Sequence, residues 1–200
     1  MSSTLRAINN LEQICNNRIL IQNLKRRIYF SEYKFYLIVR DPEKRLQSFF
    51  RDKFRVHPNS FGVNNFEWQY PQILVLKEIG IDLKDKTDSK YKEILLSIEY
   101  SDFIKILPQI YMNDGHLIPQ HHLLDFYIGK RLLKLKPDRI LKMENEDDMK
   151  FISKKLNINT GIKVNFTKNQ FCDFTLSEKE QNIIAKIYQD DFEKFSYNFL

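Results

Sequence analysis

Apolar residues return along this chain at two intervals, and the interval separates helices from strands. Behind Ser2, Ser3 and Thr4, the residues Leu5, Ile8, Leu11 and Ile14 or Cys15 recur three and four positions apart, which predicts a helix whose first turn is capped by hydroxyls. At 34–39 the run KFYLIV is short, aromatic and β-branched and ends at an Asp-Pro, so a buried parallel strand is expected. Asp41 then serves as cap and Pro42 as a first-turn residue of a helix that turns Leu46, Phe49, Phe50 and Phe54 inward. Turn formers and scattered aromatics make 56–70 a loop, followed by a short helix over 71–80 and a charged surface connection over 82–90. From Tyr91 to Leu107 the spacing is helical again, with room for a break near Ser101.

Pro108 and the segment NDGHLIPQHH are expected to interrupt regular structure, and HLLDFYIG (122–129) fits either a short strand or a helix. DRILKM (138–143) is a second strand candidate, ending at Glu144. EDDMKFISKKLN (146–157) has an acidic first turn and a basic last turn, the order a helix dipole favours. A last helix is predicted from Ser177, with Glu180 completing a capping box, through Phe195. Strands separated by helices define an α/β protein with a small, mostly parallel sheet flanked by helices.

Composition supports a single domain over 1–200: 42% hydrophobic and 14% aromatic residues can build a substantial core. Five Gly and 6 Pro against 16 Phe and 10 Tyr exclude a low-complexity chain, so the whole length is expected to fold. The formal charge of +6 fits an anionic ligand or partner, or equally a coding bias towards lysine and asparagine. Its basic residues are interspersed with acids and form no nucleic-acid motif, so no nucleic-acid partner is expected. Cys15 and Cys172 allow at most one bridge and have no metal-ligand spacing. No apolar stretch reaches the roughly 18 to 20 residues of a membrane span, and Asn165-Phe166-Thr167 is a sequon of the kind that also arises by chance.

The candidate chemistry begins where the first strand ends. Ligands of parallel α/β domains bind at the carboxyl ends of strands, beside helix N-termini. Arg40 stands at such an end, and Ser48 lies about two turns into the next helix, on a face that Arg45 can share. An arginine fork and a hydroxyl can jointly hold a phosphate. The same letters also allow Arg40 and Arg45 to do no more than pair with Asp41, Glu43 or Asp52 at the surface.

Four stretches taken together decide between these readings. FYLIVRDPEKRLQSFFRDKF (35–54) has a strand, Arg-Asp-Pro, two variable residues, Arg-Leu, one variable residue, Ser and an aromatic, then Asp-Lys-Phe. YSDFIKIL (100–107), DGHLIPQHHLL (114–124) and IYQDDFEKFSY (187–197) follow in order. On these residues the chain resembles the sulfotransferases that use 3'-phosphoadenosine 5'-phosphosulfate (PAPS), particularly the carbohydrate sulfotransferases of the chondroitin and HNK-1 type (sulfotransferase family 2). Leu117 stands where that family has an aromatic, a departure that bears on how the loop packs.

The resemblance implies a P-loop-like sulfotransferase fold, PAPS as co-substrate, no metal, and a carbohydrate or glycan-like acceptor whose hydroxyl receives the sulfuryl group. It assigns the 3'-phosphate of PAPS to Arg40 and Ser48 and gives Arg45 the part of bracing the turn. Lys53 and Phe54 either border the nucleotide or are a solvated base and a core aromatic, and Tyr188, Phe192, Phe195 and Tyr197 are expected in the core. Ser2, Ser3, Thr4 and Arg6 align with the end of the family's phosphate loop and the start of its helix. The strand and the lysine of that loop would then precede residue 1, so the chain either starts at an internal methionine of a longer protein or is a relative without the first strand. The second case carries an alternative function, an inactive remnant that binds nucleotide or anionic glycan. Location follows the same division: cytoplasmic if the chain is complete, membrane-associated or secretory if a segment precedes it.

His116 occupies the histidine of the family-like loop. Sulfuryl transfer requires removal of the acceptor's hydroxyl proton, which a neutral imidazole can do, so His116 is the candidate base or acceptor-positioning residue. A loop histidine bonded to backbone is the plain alternative. His121 and His122 are adjacent and in a regular segment would not face one site, and a zinc ion would want more converging ligands. Glu99, Asp102 and Glu144 are carboxylates without an assigned role.

Overall fold

The computed structural model describes residues 34–56, 68–83, 89–128, 131–134, 136–157 and 173–199. The predicted helix at 5–15, both cysteines, the sequon and Ser2, Ser3 and Thr4 lie outside them. The described residues group into two compact units, 34–41 with 120–157 and 42–119 with 173–199.

The first unit is built on a parallel pair of strands. β1 (Tyr36–Val39) pairs with β4 (Arg139–Lys142) in the register Tyr36↔Arg139 to Val39↔Lys142. Leu37, Val39 and Leu141 are its buried apolar residues. Between them in sequence, β2 (Asp125–Ile128) and β3 (Arg131–Lys134) form an antiparallel pair, which settles the open reading of 122–129 in favour of a strand preceded by a 3-10 turn at Gln120–Leu124. After β4 comes α5 (Glu146–Leu156), with its polar ends as expected. The Asn145 side chain accepts from the backbone N–H groups of Asp147 and Asp148, Glu146 to Asp148 lie in the first turn, and Asn157 closes the helix with φ 50°. The helix is tied back to β4: Asp148 accepts from Arg139 at 2.7 Å and from the Lys142 backbone N–H at 2.9 Å. Phe151 meets Tyr36 edge-on at 5.5 Å and lies under the Arg139 guanidinium at 4.4 Å.

The second unit is helical. Its elements are α1 (Pro42–Phe50), a π-helical turn (Arg51–Val56), α2 (Tyr70–Glu78), α3 (Ser89–Ser97), α4 (Tyr100–Ile110) and α6 (Glu178–Phe195). The inward face predicted for α1 is the one observed: Leu46, Phe49, Phe50 and Phe54 are all buried. Phe50 stacks on Phe54 at 5.2 Å and meets Tyr100 and Phe103 at 5.3 and 5.6 Å. Tyr188 and Phe192 extend the same core from α6, while Tyr197 packs against its margin.

Two elements depart from the apolar pattern. The segment 51–56 continues α1 with the wider π turn, in which Arg55 donates to the Ile98 carbonyl at 2.7 Å and covers the Phe50 ring at 4.7 Å. Pro108 does not end the helix it was expected to end: α4 runs on to Ile110, with Tyr111 N–H bonded to the Leu107 carbonyl. Pro108 removes one backbone donor, but Leu107 and Ile110 are both buried, and their packing holds the last turn. The break foreseen near Ser101 falls at Ile98–Glu99, between α3 and α4. At the end of α2, Gly80 adopts φ 86°, the left-handed conformation that lets Ile81 N–H return to the Leu76 carbonyl. No described helix is long and apolar enough to cross a membrane.

Candidate functional site

In the first unit the polar groups gather at the carboxyl ends of the parallel strands. Arg40 follows the last residue of β1, and Glu144 lies just beyond β4. The carboxylate of Glu144 accepts from the Asp41 backbone N–H at 3.2 Å and stands 3.7 Å from Arg40 Nε. The buried Gln120 amide binds the main chain of Arg40 on both sides. Its Oε1 accepts from Arg40 N–H at 2.9 Å and its Nε2 donates to the Arg40 carbonyl at 2.6 Å, across 80 residues of sequence. A side-chain amide thus acts as one rung of a strand, and it fixes the backbone that carries the Arg40 side chain.

In the second unit the groups gather on the loop 111–118, after α4. Asp114 is buried, and its Oδ1 accepts from the His116 backbone N–H at 2.7 Å and lies 3.0 Å from His116 Nδ1. Burial alone would push the Asp114 carboxyl up, but the His116 ring and backbone N–H, with the charge of Lys53, outweigh it and hold the carboxyl below its usual range. An ionised carboxylate only accepts, so Nδ1 is the donor to Asp114, and in the neutral imidazole Nε2 is then the nitrogen with the lone pair. The His116 side chain is 71% exposed.

The loop is fastened from below. Arg45, on α1, donates to the Ile118 carbonyl at 2.8 Å and the Gly115 carbonyl at 3.3 Å, so it braces the loop of His116. Leu117, where an aromatic was expected, is buried, and the Tyr188 hydroxyl donates to its carbonyl at 2.6 Å. Leu117 thus joins the core beneath the loop, beside the hydrogen bonds from Arg45 and Tyr188. Phe54 is a core aromatic, and Lys53, 15% exposed, pairs with Asp52 at 2.7 Å. Ser48 lies half-buried on α1, three residues after Arg45.

Two residues that matter here were inside a recognised stretch without a part assigned to them. Asp114 and Gln120 flank His116 in DGHLIPQ, and that flanking position was the one signal available. His121 and His122 also differ from expectation. Successive residues of a 3-10 turn are rotated by about 120°, where a strand would send them to opposite faces, and the two rings lie 4.1 Å apart.

Taken unit by unit, the carboxyl end of a parallel strand is where α/β folds bind ligands, and a histidine oriented by a carboxylate is an arrangement suited to proton transfer. The profile of the Sulfotransferase family matches residues 6–198, and the chain belongs to that family, whose members are enzymes of sulfuryl transfer. No curated protein and no solved structure matches the chain.

Proposed function

We propose that this chain is a PAPS-dependent sulfotransferase of the chondroitin and HNK-1 type, acting on a hydroxyl of a carbohydrate or glycan-like acceptor. The observation that carries the reading is the joining of two motif stretches: the Gln120 amide of DGHLIPQ holds the main chain of Arg40 in VRDPEKRLQS. Arg40 follows a parallel strand, where anions are bound in such folds, and with the Ser48 hydroxyl it takes the 3'-phosphate. Ser2, Ser3 and Thr4 take the phosphosulfate end through backbone and hydroxyl donors. The acceptor oxygen attacks sulfur in line with the bridging oxygen. The new O–S bond forms as the S–O bond to the 5'-phosphate breaks, the hydroxyl proton passes to His116 Nε2, and adenosine 3',5'-bisphosphate leaves with the bridging electron pair. No step needs a metal.

Two measurements test the proposal. Labelled PAPS incubated with a panel of glycans should transfer sulfate to at least one of them. In calorimetry the chain should bind adenosine 3',5'-bisphosphate more tightly than 5'-AMP, and Arg40→Ala should weaken the former by about 1.5–3 kcal/mol, the scale of a charge-assisted hydrogen bond. Equal affinity for the two nucleotides removes Arg40 and Ser48 from the 3'-phosphate. Selective binding without transfer to any acceptor favours the nucleotide-binding remnant.

A further inference from the structure

A cluster of metal-type ligands is formed by residues that were given no part in sulfuryl transfer. The 3-10 turn 120–124 presents His121 and His122, and Asp125 opens β2 directly after it. One potential ligand atom from each lies within 4.8 Å of the other two. The closest pair, His122 Nδ1 and Asp125 Oδ2, is 3.1 Å apart. Two atoms bound to one tetrahedral zinc at about 2.0–2.1 Å stand roughly 3.3–3.4 Å from each other, so this hydrogen-bonded pair is within a few tenths of an ångström of the spacing of ligands on a shared ion. His122 is 41% exposed, so its ring can turn to complete the set without opening a packed core.

We infer that His121, His122 and Asp125 form a binding site for a divalent transition-metal ion of the zinc class. Two imidazoles and one carboxylate suit Zn²⁺, Ni²⁺ or Cu²⁺, while Mg²⁺ and Ca²⁺ require oxygen ligands. Three protein ligands leave one position of a tetrahedral zinc to water. The ion would cross-link the turn to the start of β2, immediately after Gln120. Its effect is therefore a stabilised chain, distinct from the sulfuryl-transfer chemistry proposed above.

The test is a titration of the full chain with zinc chloride by calorimetry, together with melting curves with and without the ion. The parent should bind Zn²⁺ and melt higher in its presence, with Mg²⁺ doing neither. His121→Gln, His122→Gln and the near-isosteric Asp125→Asn should each weaken Zn²⁺ binding by about tenfold or more. His116→Ala should leave the affinity unchanged, which separates this site from the other histidine loop. Melting without metal shows whether each variant is folded. Unchanged Zn²⁺ affinity in a folded His121→Gln/His122→Gln double variant overturns the site, as does an equal loss in His116→Ala or equal binding of Mg²⁺.

Discussion

His116 gains its meaning from a neighbour two residues away. The buried Asp114 carboxylate fixes Nδ1 as the donor, so in the neutral ring Nε2 is the nitrogen left to accept a proton. Removing the imidazole by His116→Ala should lower kcat by about 10² to 10⁴ with little change in PAPS affinity. Asp114→Asn retains the shape but can present an N–H to Nδ1 in place of an acceptor, so kcat should fall by less while binding again holds. A structural role predicts a different pair of results, namely a lower melting temperature and activity that returns on cooling. Unchanged kcat in a folded His116→Ala variant removes it from the reaction. His116 could be singled out in the sequence because the stretch it belongs to resembles a family loop with a histidine at that place. The parts of Asp114 and Gln120 could not, because a carboxylate and an amide declare their role only through partners, and the partner of Gln120 lies 80 positions away.

At the scale of elements, helix ends were the best-read features. Ser177 and Glu180 were read as a capping box and form one: the Ser177 N–H donates to Glu180 Oε2 at 2.8 Å at the start of α6. The same carboxylate does more than close its own helix. Ser101, at the start of α4, donates to Glu180 Oε1, and Lys105 approaches it at 3.6 Å, so it joins two helices. The hydrogen bonds from Ser101 and then Ser177 pull the Glu180 carboxyl down to about 2 from an ordinary 4.5. A depressed carboxyl stabilises the fold fully above its unfolded value, and the contribution drains away as pH falls through the interval from 4.5 to about 2. Glu180→Gln should therefore be less stable than the parent at pH 7 and show a flatter decline over that acid interval, measured by denaturant midpoints at several pH values. Parallel declines in the two proteins would dismiss the carboxylate as the source. The π turn and Pro108 were not legible, because apolar spacing reports which residues are inward and says little about one extra residue per turn or about a proline held by its buried neighbours.

At the scale of the molecule, the parallel pair β1–β4 could be read from two short apolar runs, each ending in charged residues. The β2–β3 hairpin could not: HLLDFYIG carries apolar residues without a period long enough to separate strand from helix, and pairing across 125–134 decides it. The helical unit was foreshadowed by its aromatics, and its stability should be concentrated in them. Phe103 is fully buried and touches the rings of Phe49, Phe50, Phe54 and Tyr100 at 5.6–6.2 Å, so no single neighbour can collapse into the space it fills. Phe103→Ala loses both the transfer of the ring from water and the contacts of the cavity wall, about 3–5 kcal/mol. That is a large part of the roughly 5–15 kcal/mol that holds a domain folded. Ile140, 36% exposed on β4, offers the contrast: its replacement by alanine should change stability by less than about 1 kcal/mol. Urea unfolding of the two variants, followed by both tyrosine fluorescence and far-ultraviolet circular dichroism, measures the difference. Equal destabilisation by Phe103→Ala and Ile140→Ala would show that the aromatic cluster is not where the folding energy of the helical unit resides.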